Sequence, residues 1–331
     1  MAPEGQRPKA GRVTEDCFAA LVRLFMSPAN PKWSRGYSPS TKESWGRELV
    51  RAMRPDCLGA ISLQEMRPSL VQAYMDGMDG LPGKQRSAMG AFKQLEKWAV
   101  VRDLLPRPIT TGVEIGHSDG GHVPWTDDQV ALGERHAPPD LARAITLAAN
   151  TGQRGSDLVR ISPTDIEIYK GVQGVNVTQQ KTKKRIWVPI TAELATRMAT
   201  WERRPGPFLV KQDGRPWSRK SLSNAWTYAR DNIAELAPLR IDNLVLDPAW
   251  APLKDKGLVI HGLRGTACVR LRRAGATESQ IADMVGMSIE MVAKYCRFSV
   301  QRENALAAVL HLETFAERNF GVSNKNHGVK D

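Results

Sequence analysis

His261 and Arg264 stand three residues apart in the stretch LVIHGLRGTACVRLRRAGATESQIADMVGMSIEMVAKYCRFS, residues 258–299. On a helix that spacing puts an imidazole and a guanidinium on one face, a turn apart. Both can donate hydrogen bonds to an anionic oxygen. Further along stands Tyr295, whose phenol becomes a nucleophile once nearby cations or a base favour loss of its proton. Three short helices must position these groups. The first carries His261 and Arg264 and breaks at Gly275. The second begins at Thr277-x-x-Gln280, a capping box, and runs to about Val285. Gly286 ends it, Ser288 can cap the third, and Tyr295 lies near the far end of that third helix. Arg270, Arg272 and Arg273 as a solvated face, with a half-packed tyrosine, would also fit a generic helical DNA binder.

The chain has 331 residues, enough for two domains with separate cores, and a net charge of +12. Residues 1–108 hold 17 Lys and Arg against 11 Asp and Glu, and residues 125–331 hold 30 against 22. Both halves are therefore basic, as expected of a protein that neutralises phosphates with two domains. Cys17, Cys57, Cys268 and Cys296 lack any C-x-x-C spacing and read as reduced thiols of a cytoplasmic protein. The N-terminus has no apolar signal-like core and no long apolar run follows, so neither secretion nor a membrane partner is expected.

In order, residues 1–13 read as a polar disordered tail. Four helical patterns follow: Glu15–Met26, one from Ser40-x-x-Glu43 to Met53, one opening at Pro68, and one over about Lys84–Leu105. The composition then shifts to Gly, Thr, Ser and Asp without Lys or Arg, which reads as an interdomain linker over 109–124. His117 and His122 lie within it and read as solvated loop histidines. Thr126 can cap a helix, and another runs from about Pro139 to Thr151. Gly152 frees the chain to turn so that Arg154 points into a cleft, with Asp157 one turn on and able to hold its guanidinium. Alternating runs at Asp165–Tyr169, Gly174–Gln180 and Lys184–Ile190 read as three strands, joined by turns at 171–173 and 181–183. Residues 207–231 read as a strand, an Asp213-Gly214 turn and a helix from near Ser218. Residues 232–256 carry no interpretable motif, and 302–320 read as a final amphipathic helix.

The phrase Thr151-Gly152-Gln153-Arg154-Gly155-Ser156-Asp157-Leu158, the His261-x-x-Arg264 pair and Tyr295 together resemble the tyrosine recombinase, or phage integrase, family. Glu96-Lys97-Trp98-Ala99-Val100 with Leu104-Leu105-Pro106 is similar to the last helix of that family's N-terminal DNA-clamping domain. The resemblance implies a mainly α fold with a small antiparallel β-sheet. It divides the chain into a tail (1–13), a helical core-binding domain (14–108), a linker (109–124), a catalytic domain (125–321) and a second tail (322–331). Arg154, Lys181, His261 and Arg264 would be catalytic with Tyr295 as nucleophile, and Asp157 and Met287 would support them. Lys181 at the hairpin tip matches the family's general acid, with Lys183 as the alternative. The activity implied is site-specific strand exchange through a 3′-phosphotyrosyl intermediate and a Holliday junction, without metal, nucleotide or other cofactor. The implied partners are duplex recombination sites, three further copies of the chain in a tetramer, and accessory DNA-bending or directionality proteins. Type IB topoisomerase-like relaxation and a relative that only binds DNA are the alternatives. The second stays open because Val285-Gly286-Met287 stands where the family usually has Leu-Gly-His, and methionine cannot donate to a phosphate oxygen.

Overall fold

The computed structural model describes residues 16–116, 122–201, 205–237, 257–296, 308–315 and 318. The chain divides into two compact units, Met1–Gly120 and Gly121–Asp331.

The first unit is helical: α1 (Phe18–Met26), α2 (Pro31–Ser34), α3 (Pro39–Ala52), α4 (Pro68–Asp76) and α5 (Pro82–Val100). Its core gathers Phe18, Phe25, Leu49, Met75, Phe92 and Leu95 from one stripe of each longer helix. Two boundaries differ from the sequence reading. α3 is capped by Ser38, whose side chain accepts from the Thr41 amide, because Pro39 suits the first helical position. Glu43, expected in a capping box with Ser40, instead pairs with Arg47 at 3.2 Å. Residues 109–116, read from composition as linker, belong to this core. Ile109 is fully buried, and the Ile109 and Thr110 amides both donate to the Glu96 carboxylate, at 2.7 and 2.6 Å.

The second unit begins with α6 (Asp127–His136), opened by a Thr126–Gln129 capping box. α7 (Pro139–Thr151) ends on left-handed Gly152, and α8 (Gly155–Leu158) follows at once. A 3-10 turn then leads into β1 (Ile166–Tyr169), β2 (Val172–Thr178) and β3 (Arg185–Pro189), an antiparallel sheet in the order β1-β2-β3. The register Val175↔Val188 and Val177↔Ile186 puts these four apolar side chains on the buried face. α9 (Ala192–Ala199) and α10 (Arg219–Asp231) precede α11 (Gly262–Arg273), α12 (Glu278–Val285) and α13 (Ile289–Cys296). Most of the expected 302–320 helix lies outside the described residues, though 308–315 are helical. Most of the uninterpreted 232–256 segment also lies outside them.

The fold is mainly helical with one small antiparallel sheet, as expected. α11 packs against α7, α12 and α13, and α12 lies on β3. This arrangement brings the Arg154 turn, the hairpin and the His261–Tyr295 stretch to one place. All four cysteines are thiols. Among the described residues no helix is long and apolar enough to cross a membrane.

Candidate active site

The segment leading to His261 is held by its backbone. The Trp226 indole N–H donates to the Leu258 carbonyl at 2.9 Å, and Arg230 donates to the same oxygen at 2.9 Å. The Trp125 indole donates to the Val259 carbonyl at 2.9 Å. Trp125 is itself tied to α11, since its amide donates to the Thr266 hydroxyl at 2.7 Å. His261 therefore stands as the N-cap residue just before α11, with little freedom.

One turn on, Arg264 is 3% exposed, a cost that an arginine bears only when its donors are matched. Its guanidinium donates to the Gly152 carbonyl and, at 3.2 Å, to the Gly286 carbonyl. Both glycines are left-handed caps, with φ of 62° and 64°, at the C-termini of α7 and α12. Those helix ends carry partial negative charge and free carbonyls, so the cation bolts two helix termini together where a cation is favoured. Burial, and then the neighbouring Arg154 charge, bring the Arg264 pKa down to about 10, which leaves it protonated at neutral pH.

Arg154, half-buried, donates to Gln179 Oε1 at 2.7 Å. The sequence reading gave that task to Asp157. Asp157 instead accepts the Gln180 amide at 2.8 Å. The short α8 leaves its carboxylate aimed at the hairpin rather than back at Arg154, so Asp157 pins the turn and Gln179 holds the arginine. Lys181 and Lys183 are both exposed at the tip, Lys183 with a positive φ of 59°. Thr182 between them donates to Gln179 Oε1 at 2.8 Å.

Tyr295 is 6% exposed and packs over Gly265, where an added Cβ would lie 2.7 Å from the ring. Burial pushes the phenol pKa up, while the Arg264 and Arg154 charges pull it down. The same two cations bear on His261. Burial first, then His122, Arg264, Arg219 and Arg154, lower its pKa to about 4, so it is neutral at pH 7. Met287 is half-buried against the cluster of Cys268, Val285 and Tyr295, its sulfur 3.9 Å from that of Cys268.

Arg154, His261, Arg264 and Tyr295, from three distant segments, thus share one electrostatic neighbourhood. Two cations and a neutral imidazole around a phenol can bind a phosphodiester and take up a proton. Among the described residues no group of His, Cys, Asp and Glu could hold a metal ion.

Three neighbours escaped the sequence reading. Gln179 follows Val175 and Val177 in the period of two, so a polar side chain on the core face was there to notice. Arg219 opens α10, where a cation runs against the helix dipole. His122, read as a solvated histidine, sits edge-on to His261 with ring centroids 4.9 Å apart; nothing in its local sequence marks it. His117 lies outside the described residues.

The family model for the phage integrase family matches residues 134–302, which is over half of the chain. The chain belongs to the phage integrase family. Solved structures of similar fold include integrases bound to DNA. A lambda integrase dimer bound to a COC′ core site has a TM-score of 0.66 at 18% identity, covering 84% of this chain and 76% of that one. A lambda integrase tetramer bound to a Holliday junction has a TM-score of 0.64 at 17% identity, covering 83% and 75%. The Tn1549 transposon integrase in complex with circular intermediate DNA has a TM-score of 0.63 at 16% identity, covering 88% and 99%. At these identities the likeness is one of fold. No curated protein sequence matches the chain.

Proposed function

We propose that this integrase-family chain is a site-specific DNA recombinase that cuts and rejoins strands through Tyr295. The observation that carries the reading is that Tyr295 lies packed on α11 under the joint charge of Arg264 and Arg154. Arg154 and Arg264 bind the non-bridging oxygens of the scissile phosphate and stabilise the charge that grows on them. The Tyr295 oxygen attacks phosphorus, the bond from phosphorus to the 5′ oxygen breaks, and a 3′-phosphotyrosyl bond forms. Neutral His261 accepts the phenol proton or hydrogen-bonds the phosphate, and Lys181 protonates the departing 5′ oxygen. A 5′ hydroxyl from a second duplex reverses these steps to complete exchange. In this reading four copies act on two paired sites through a Holliday junction, and both basic units contribute phosphate contacts.

The test uses a duplex selected by binding from a randomised pool and nicked to trap intermediates. The wild-type protein is expected to form an SDS-resistant adduct with it. Tyr295→Phe should bind that duplex equally well and form none. Adduct retained in Tyr295→Phe would move the nucleophile elsewhere, with exposed Tyr228 the next candidate. Binding without any wild-type adduct would reduce the protein to a DNA-binding relative.

A further inference from the structure

Gln179 is a fully buried polar side chain beside Arg154 that the proposed chemistry does not use. It has no solvent exposure and sits just past the end of β2. Each hydrogen-bonding capacity of its amide is taken. Oε1 accepts from Arg154 at 2.7 Å and from the Thr182 hydroxyl at 2.8 Å. Nε2 donates to the Val285 carbonyl at 3.1 Å and to Gln153 Oε1 at 3.3 Å. A primary amide offers two acceptor and two donor positions, so the group is saturated. Its backbone closes the turn as well, donating to the Lys184 carbonyl at 2.9 Å and accepting from the Lys183 amide at 2.8 Å. Gly286, at φ 64°, leaves the room the amide needs, since a Cβ there would strike Nε2.

We infer that Gln179 is a positioning residue that fixes Arg154, the Lys181–Lys183 turn and the turn entering the Tyr295 helix as one unit. Packing alone does not account for it. A leucine would fill the same space after Val175 and Val177 but would leave these four polar partners without the amide that satisfies them. Only a side chain that both accepts and donates can meet a guanidinium and a hydroxyl on one side and a helix-terminal carbonyl on the other. Arg154 is a long side chain whose aim depends on this bond, because Asp157 is engaged by the hairpin amide of Gln180. Thr182 ties the tip to the same oxygen, so the lysine turn and the arginine take their positions from a single atom. That these groups act on a scissile phosphate rests on the recombinase reading above; that Gln179 orders them does not.

Two measurements keep the two claims apart. Without DNA, the Arg154 Nε–H should give a sharp NMR signal in wild type that broadens in Gln179→Met. An unchanged signal in the folded variant would overturn the inference whether or not the protein cuts DNA. With the selected duplex, Gln179→Met should bind within about threefold of wild type. Its single-turnover adduct formation should slow by about 10–100-fold, the usual scale for losing an orienting partner. A 5′-phosphorothiolate at the scissile bond, whose leaving group needs no proton, should restore only part of that loss, because Arg154 stays loose. Gln179→Glu keeps both acceptors and should recover most of the Arg154 share. Thr182→Val, at an exposed tip, should leave the melting temperature unchanged, slow cleavage of ordinary DNA several-fold and be fully restored by the phosphorothiolate. Wild-type rates in Thr182→Val, or an equal deficit on both substrates, would overturn the inference even if Gln179→Met failed to fold.

Discussion

Arg264 and Lys181 are both cations of the proposed site, yet the protein treats them in opposite ways. Arg264 is buried, and two of its donors are given to the carbonyls of Gly152 and Gly286. Lys181 stands exposed on a hairpin tip, ordered by its neighbours Thr182 and Gln180 rather than by its own side chain. The difference suits two tasks. A charge that must already face the phosphate is best fixed by rigid helix ends. A group that delivers one proton to a leaving oxygen keeps its ammonium free until DNA arrives.

The comparison breaks most visibly at Arg264. Arg264→Ala leaves two buried carbonyls without a donor, so unfolding in denaturant should show a loss of about 2–5 kcal/mol. Single-turnover cleavage should fall by about 10³-fold. Arg264→Lys should not rescue it, because a point-like ammonium cannot span both carbonyls as a guanidinium fork does. Full activity in the lysine variant would remove the case for a bolted arginine.

Lys181→Ala should separate activity from stability. Unfolding free energy should stay within about 0.5 kcal/mol of wild type, as for other exposed sites. Cleavage should drop about 10²-fold and return with the 5′-phosphorothiolate. Should Lys183→Ala be the variant that is rescued, the proton donor is the lysine in the left-handed conformation.

A smaller effect follows from His261. Its pKa is lowered to about 4 in the folded protein, against about 6.5 in an unfolded chain. Between those values the unfolded state binds the proton and the folded state does not, so acidification favours unfolding. Stability should be at its full value above about pH 6.5 and be lost as pH falls through that window. His261→Gln should flatten this part of a melting-temperature profile; an unchanged profile would mean that another group carries the dependence.

The smallest effect is expected at Met287, which packs beside Cys268 and fills an irregular gap as methionine does well. Met287→His should change single-turnover cleavage by less than about tenfold, well short of the ~10²–10³ of a full oxyanion donor. A gain of a hundredfold would show that a missing donor limits the wild-type protein.

The helices of the second unit were legible because their signals are local. Thr126 caps its helix and Thr277 with Gln280 forms the capping box, as the sequence predicts, and Gly152 and Gly286 take the left-handed conformation at the helix ends. The strand phase was legible too, since Val175, Val177, Ile186 and Val188 alternate and are buried. The linker was misread at its start because composition records charge and turn residues but not packing, and Ile109 is held down by Glu96, 13 residues earlier in the chain.

The sequence by itself therefore determined the strand phase and several helix ends of the second unit, and which residue types could bind a phosphate. Only the tertiary structure decided which partner each of them has. Arg154 bonds Gln179 rather than its near neighbour Asp157, and Arg264 reaches carbonyls 112 and 22 residues away in the chain. His122 meets His261 in the same way, across the length of the second unit. Such pairings depend on how helix ends and a hairpin converge. Convergence is a property of packing, because no side chain's immediate neighbours encode the distance to a residue a hundred positions away.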